Sequence, residues 1–245
     1  MALTLYLTHY RIVPQIGASP LENQRWFCYH NFTSSRRGAI IKITWLGHSC
    51  FTVESQGYRI VLDPYKDGSV PGLAPVRVEA DQVLCSHGHG DHCGTEGVSL
   101  RQGRPSPFTV ETINTWHDDK EGALRGPNTI HVLSDGQCRI AHLGDLGCDL
   151  ATEQTEKLRN LTALLIPVGG HFTIDAVQAK RLVDELSPVV VVPMHYRQAG
   201  VGYDVIGTVE QFTKLCDDVV DYPGSELELT PQTGRQTAVL KPQNA

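Results

Sequence analysis

Positions 87–94 of this 245-residue chain read His87-Gly88-His89-Gly90-Asp91-His92-Cys93-Gly94, three imidazoles and a carboxylate within six positions on a backbone loosened by glycine. Imidazole nitrogen and carboxylate oxygen are the donors that borderline cations such as Zn²⁺ accept. The alternation of His87 and His89 would put both rings on one side of an extended segment, with Asp91 and His92 turned toward a second position. The spacing predicts two adjacent metal sites; the plainer alternative is a histidine-rich surface turn. Three more donors follow downstream, each at the end of an apolar run. They are His117 after Thr115-Trp116, Asp145 in His142-Leu143-Gly144-Asp145, and His195 in Pro193-Met194-His195-Tyr196. A polar residue at a strand exit is often only a surface cap, but three in succession after a clustered motif reinforce one another.

Something must carry these residues to one place. Alternating and fully apolar runs predict strands at 41–54 (interrupted at Gly47-His48-Ser49), 58–62, 82–85, 109–115, 129–133, 139–143, 164–168 and 189–193. Helical stripes predict helices at 152–161, with Thr152 as N-cap, at 174–186, stopped by Pro188, and at 208–216. Strands in two batches, each followed by helices, predict an α/β fold: a four-layer αββα sandwich of two mixed β-sheets whose edge loops gather distant residues. Residues 40–245 form the expected domain. Residues 1–39 carry Arg11, Arg25, Arg36 and Arg37 against Glu22, a net +3 beside −9 for the remainder, and read as an N-terminal extension of unknown role.

The overall charge of −6 argues against a nucleic-acid surface. No apolar run approaches the roughly 18–20 residues that span a bilayer. Seven scattered cysteines (28, 50, 85, 93, 138, 148, 216), with no Cys-x-x-Cys pair, suggest reduced thiols and a cytoplasmic protein.

The order His-x-His-x-Asp-His, lone His, Gly-Asp, final His resembles the metallo-β-lactamase superfamily of metal-dependent hydrolases. Leu46-Gly47-His48-Ser49, Leu62-Asp63-Pro64, the segment 167–174 and Val192-Pro193-Met194-His195-Tyr196 resemble a bacterial and archaeal branch that includes ascorbate-6-phosphate lactonases. The resemblance runs from about 41 to 240. It implies that His87, His89 and His117 bind one metal, that Asp91, His92 and His195 bind a second, and that Asp145 bridges them. His at position 89, where oxygen-reducing diiron relatives carry Glu, implies hydrolysis with zinc, Mn²⁺ and Fe²⁺ being the other metals to consider. A bridging aspartate in place of cysteine is unlike the commonest true β-lactamases, and the 50 residues from Asp145 to His195 leave no room for the inserted domain of the nuclease branch.

The resulting expectation is hydrolysis of an ester, lactone or phosphoester bond in a small molecule by water activated between two divalent cations. Asp91 is the expected catalytic residue, orienting the water or accepting its proton. His48 and Asp63 are expected to orient ligand histidines, His171 to face the cleft, and Arg125, on a loop with Asn128, to meet an anionic substrate group. His131 and His142 are expected to pack or cap, and Cys93 to fill space. Two rivals remain: a phosphodiesterase or nuclease acting on nucleic acid, and a non-catalytic metal-binding module. Homo-oligomerisation is left open.

Overall fold

The computed structural model describes residues 40–245; the expectation for 1–39 lies outside the described residues. Branched aliphatic residues dominate the strands. The run 41–54 is two strands, β1 (Ile41–Gly47) and β2 (Cys50–Ser55), because the chain reverses at His48-Ser49 instead of continuing. A second hairpin joins β2 to β3 (Tyr58–Leu62) through Gln56 and Gly57. Both have positive φ (53° and 76°), as a tight turn between twisted strands requires. A short β4 (Val78–Ala80) pairs in parallel with β6 (Val98–Leu100), and β5 (Gln82–Leu84) lies between them in sequence, beside β3.

The second half supplies β7 (Thr109–Trp116), β8 (Pro127–Ser134), β9 (Arg139–His142), β10 (Ala163–Pro167), β11 (Val190–Met194), β12 (Val219–Asp221), β13 (Glu226–Leu229) and β14 (Gln236–Val239). Every residue of β10 and β11 is buried, which is why their sequences are apolar throughout instead of alternating. A five-stranded sheet has the order β13-β1-β2-β3-β5, and a seven-stranded sheet the order β12-β14-β11-β10-β9-β8-β7. Ile43, Trp45 and Phe51 of the first share a core with Ile130, Leu165 and Val192 of the second, so the sheets pack face to face. The short strands β4, β6 and β12–β14 were not legible in the sequence. Three- and four-residue strands carry too few side chains to establish a period.

Three helices, α1 (Thr152–Lys157), α2 (Ala176–Leu186) and α3 (Glu210–Thr213), come from connections of the seven-stranded sheet. The other sheet's connections supply one 3₁₀ turn, at Thr95–Gly97, among the described residues. Thr152 is not the cap expected of it. Ala151 takes that place, and its N–H donates to Gln154 Oε1 (2.8 Å). α2 begins two residues later than its apolar stripe suggested, because Asp175 caps it, accepting from Val177 N and Gln178 N at 2.9 Å each. α3 is a single turn within the predicted 208–216. Among the described residues no helix is long and apolar enough to cross a membrane.

Strand direction locates the site. β1 and β3 run alike, since each is antiparallel to β2, and β5 is parallel to β3. β9, β10 and β11 are mutually parallel, and β7 matches them because both β7 and β9 oppose β8. His48, Asp63, the histidine motif, His117, Asp145 and His195 each follow the carboxyl end of one of these strands. Leu165, fully buried in β10, lies in the core beneath that rim. Leu165→Ala should lower stability by about 2–5 kcal/mol, read as a lower urea midpoint at unchanged slope; a shift under about 1 kcal/mol would contradict this packing.

Candidate metal centre

The motif after β5 is a turn, not the extended segment its alternation suggested. His92 N and Cys93 N both donate to His89 O (3.1 and 2.9 Å). The turn still groups the rings, with centroids 4.6 Å apart for His87–His89 and 4.4 Å for His87–His92. Gly94 is required here, because a Cβ would strike the backbone of Tyr65 and Lys66. The turn is also closed by a disulfide between Cys85 and Cys93, with Cα atoms 5.4 Å apart. This corrects the expectation of seven reduced thiols and of Cys93 as a packing residue. The two cysteines lie far from any Cys-x-x-Cys spacing, yet the turn between them folds back on itself. Cys50, Cys138, Cys148 and Cys216 are free.

Two donor groups result. His87, His89 and His117 can converge on one ion, and Asp91, His92 and His195, joined by His48, on another; within each group the donor atoms lie within 4.8 Å of one another. Asp145 stands between them, forming with His87 and His92 a third group that overlaps both. Its Oδ2 is 3.1 Å from His92 Nε2, 3.2 Å from His117 Nε2, 3.4 Å from His195 Nε2 and 4.0 Å from His87 Nε2. Buried polar atoms are almost always paired, yet His48 Nδ1 and Nε2, His87 Nε2, Asp145 Oδ1 and both ring nitrogens of His195 have no hydrogen-bond partner. Unpaired imidazole nitrogens and a carboxylate oxygen gathered within these donor groups fit metal ions.

The surrounding residues fix which nitrogen of each ring faces inward. Asp63, fully buried, accepts from His92 Nδ1 (2.8 Å), Ser86 Oγ (2.6 Å) and Ser86 N (2.6 Å). His117 Nδ1 donates to Phe172 O (3.1 Å). Asn128 was read with Arg125 as part of a substrate loop, but it is buried in β8. Its Oδ1 accepts Asp145 N (2.9 Å), and its Nδ2 donates to Thr115 Oγ1 (2.8 Å) and Leu143 O (3.0 Å). Gly144, at φ 55°, lets the chain turn there; a Cβ would meet Asn128 Oδ1 and the Ser86 side chain. His131 and His142 bond to the carbonyls of Cys85 (3.1 Å) and Ser49 (2.9 Å), outside the cluster.

Electrostatics follow from burial and from the mutual fields. Burial brings His48 down to about 4 and His87 to about 3, with neighbouring His195 and His92 adding to the effect, so both rings are neutral lone-pair donors. Burial would raise the Asp145 carboxyl, but His195, His92 and His117 outweigh it and hold the group well below its ordinary range. Burial would likewise lower His92, yet Asp145 and Asp63 push it well above its usual value. Asp91 and Asp63 are also lowered despite burial, Asp91 by His48 and His92, Asp63 by His142 and His92.

A cleft of about 300 Å³ opens above the cluster, lined by His89, Asp91, His117, Arg125, Asp145, Phe172 and Tyr203. Larger hollows elsewhere, such as that beside Tyr222 and Lys241, hold no comparable donor cluster. His171 does not line the cleft as expected. Gly170 (φ 65°) and His171 (φ 61°) turn the chain there; His171 is exposed, and its neighbour Phe172 lines the cleft instead. Arg125 does reach the cleft, its guanidinium 5.5 Å from the Phe172 ring centre. Asp118 holds the Arg125 loop by accepting from the backbone N–H groups of Lys120 (2.8 Å), Gly122 (3.0 Å), Leu124 (3.0 Å) and Arg125 (2.7 Å). Tyr203 escaped the sequence reading, having no motif around it beyond nearby glycines. Its hydroxyl lies 2.7 Å from Ser69 O and 3.2 Å from Asp91 Oδ2.

Asp63→Asn should weaken metal binding by about 10–100-fold without unfolding the chain; chelator competition with unchanged affinity would show that Asp63 does not orient His92. Reducing the Cys85–Cys93 link, or replacing both residues by serine, should cost about 2–3 kcal/mol through the freed loop. Urea unfolding with and without reductant checks this, and coincident curves would contradict it.

Residues 42–195 match the family described as "Beta-lactamase superfamily domain". A metal-dependent hydrolase of Carboxydothermus hydrogenoformans is 30% identical over 191 residues, covering 64% of this chain and 84% of that protein. One from Thermococcus kodakarensis is 29% identical, covering 78% of this chain and all of the other. A solved structure from Thermotoga maritima, described as a Zn-dependent hydrolase of the metallo-β-lactamase superfamily, is 33% identical with a TM-score of 0.66, covering 82% of this chain and 98% of its own. A metallo hydrolase of Ignicoccus hospitalis shares the fold at 24% identity and a TM-score of 0.57. Together with the donor cluster at the strand ends, these place the chain in the metallo-β-lactamase superfamily, as one of its metal-dependent hydrolases.

Proposed function

We propose that this protein is a dinuclear zinc hydrolase of small anionic molecules, acting on an ester, lactone or phosphoester bond. The observation that carries this reading is the position of Asp145 Oδ2, within 3.1–3.4 Å of imidazole nitrogens from both donor groups. A carboxylate so placed can be shared by two ions. The imidazole and carboxylate donor set suits zinc, with Mn²⁺ and Fe²⁺ as alternatives. Bound cations supply Lewis acidity, polarising a carbonyl or phosphoryl oxygen and lowering the pKa of water.

The chain's own residues do the rest. Asp91, kept ionised by His48 and His92, lines the cleft, where its carboxylate can accept a hydrogen bond from water and align it for attack. As the water oxygen bonds to the carbonyl carbon or phosphorus, its proton passes to Asp91. The bond to the leaving oxygen then breaks, and that oxygen takes up the proton held by Asp91. Arg125, braced on Phe172 and by the Asp118-capped loop, supplies a fixed cation for an anionic group on the substrate. The cleft volume suits a small molecule. The net charge of −6 disfavours a polyanionic nucleic acid.

Elemental analysis of the purified protein should give two metals per chain, and zero or one would overturn the dinuclear reading. Across a panel of aryl esters, lactones and phosphoesters, Asp91→Ala should lose roughly 10²–10⁴-fold in kcat, more than it loses in metal content. Wild type and Asp91→Ala equally inert on every substrate would favour a metal-binding module. Turnover confined to single-stranded RNA would favour the nuclease alternative.

A further inference from the structure

His48 was expected to orient a ligand, and its surroundings do not suit that role. A histidine that positions another ring must hydrogen-bond to it or to its neighbours, as Asp63 does to His92. Neither ring nitrogen of His48 makes a well-formed hydrogen bond, although the side chain is fully buried; the nearest carboxylate oxygen, Asp91 Oδ2, stands 3.5 Å from its Nε2. Buried histidines that serve packing behave differently here, since His131 and His142 each bond to a backbone carbonyl. Leaving both nitrogens of a neutral imidazole unpaired is expensive unless something else binds one of them.

What surrounds the ring is donor chemistry. Its centre lies 4.2 Å from that of His195 and 5.3 Å from that of His92, and its Nε2 is 3.5 Å from Asp91 Oδ2. The backbone is held in an unfavourable conformation to put it there. His48 has φ 53°, and its carbonyl accepts the indole N–H of Trp45 (3.0 Å) and the backbone N–H of His195 (3.2 Å). A non-glycine residue persists in the left-handed region where its surroundings over-determine it, and such residues gather at functional sites. His195, the ligand expected opposite, shows the same pairing of positive φ (52°) with unpartnered ring nitrogens.

We propose that His48 is itself a ligand of the second metal position, so that each position has three imidazoles: His87, His89 and His117 for one, His48, His92 and His195 for the other, bridged by Asp145. This rests on the dinuclear reading above. Its consequence concerns Asp91. With His48 beside His92, His195 and the bridging carboxylate, Asp91 is one donor more than a four-donor shell needs, and it is the one that can be released to hold water.

The test uses the full-length protein loaded with Co²⁺. Wild type should take up two ions and show hyperfine-shifted NMR resonances from six imidazoles. His48→Ala should hold one ion tightly and lose roughly 100-fold or more in affinity for the second, beyond the 10–100-fold of an orienting partner. Its visible cobalt spectrum should change, and millimolar imidazole should restore both uptake and spectrum. His48→Ala with two tightly held ions and an unaltered spectrum would overturn the assignment. If the variant does not fold, the wild-type count decides: six imidazoles support a His48 ligand and five exclude it. Wild type binding fewer than two ions would instead undo the dinuclear reading, which separates the two failures.

Discussion

One buried carboxylate organises the molecule's chemistry. Asp145 is 1% exposed, and its Oδ2 faces imidazole nitrogens from three separate strand ends. Such a charge is tolerable inside a protein only where opposite charge or strong donors surround it. Its neighbours therefore cannot be exchanged for apolar residues one at a time. Asn128 fixes the backbone at Asp145, Gly144 provides the turn, and the flanking rings need fixed tautomers, which brings in Asp63, Ser86 and the carbonyl of Phe172. The polar network is large because each member must be satisfied once the first is buried.

The sandwich is suited to this demand. Strands of like direction in both sheets end at one rim, so short loops from distant parts of the chain meet there while the apolar faces beneath them stay packed. Conformational strain gathers at the same rim. His48, Asp63, His171 and His195 all have positive φ, and three of the four are fully or nearly fully buried. A rigid core over-determines those positions, and strain is retained where a loop must aim a side chain away from its easiest direction.

The wall of the cleft shows the opposite economy. Beyond Asp91, Asp145 and the histidines it consists of Arg125, Phe172 and Tyr203, drawn from three loops with no strand of their own. Loops of this kind vary without disturbing the core. A common metal centre with interchangeable walls explains how one fold can serve several leaving groups.

Much of this could be read directly. Two mixed sheets followed from apolar runs at 164–168 and 189–193 and from the β2–β3 hairpin at Gln56-Gly57. The motif at 87–92 and the donors at 117, 145 and 195 announce metal chemistry by residue type alone. Three- and four-residue strands did not show, having less than one clear period each, and the helix expected at 208–216 is only one turn long. Tyr203 and Asn128 carry no local signal, Phe172 and not its neighbour His171 lines the cleft, and nothing in the spacing of Cys85 and Cys93 indicates their link.

The sequence by itself determined which atoms could bind metal, because donor chemistry belongs to the side chain wherever it ends up. It also determined which segments had to be buried strands, because an apolar run has nowhere else to go. Only the tertiary structure decided how those donors divide into two groups, which carboxylate stands between them, and that His48 joins the second. Those are relations of distance and direction between residues as far apart as 48 and 195, and nothing local in the chain encodes them.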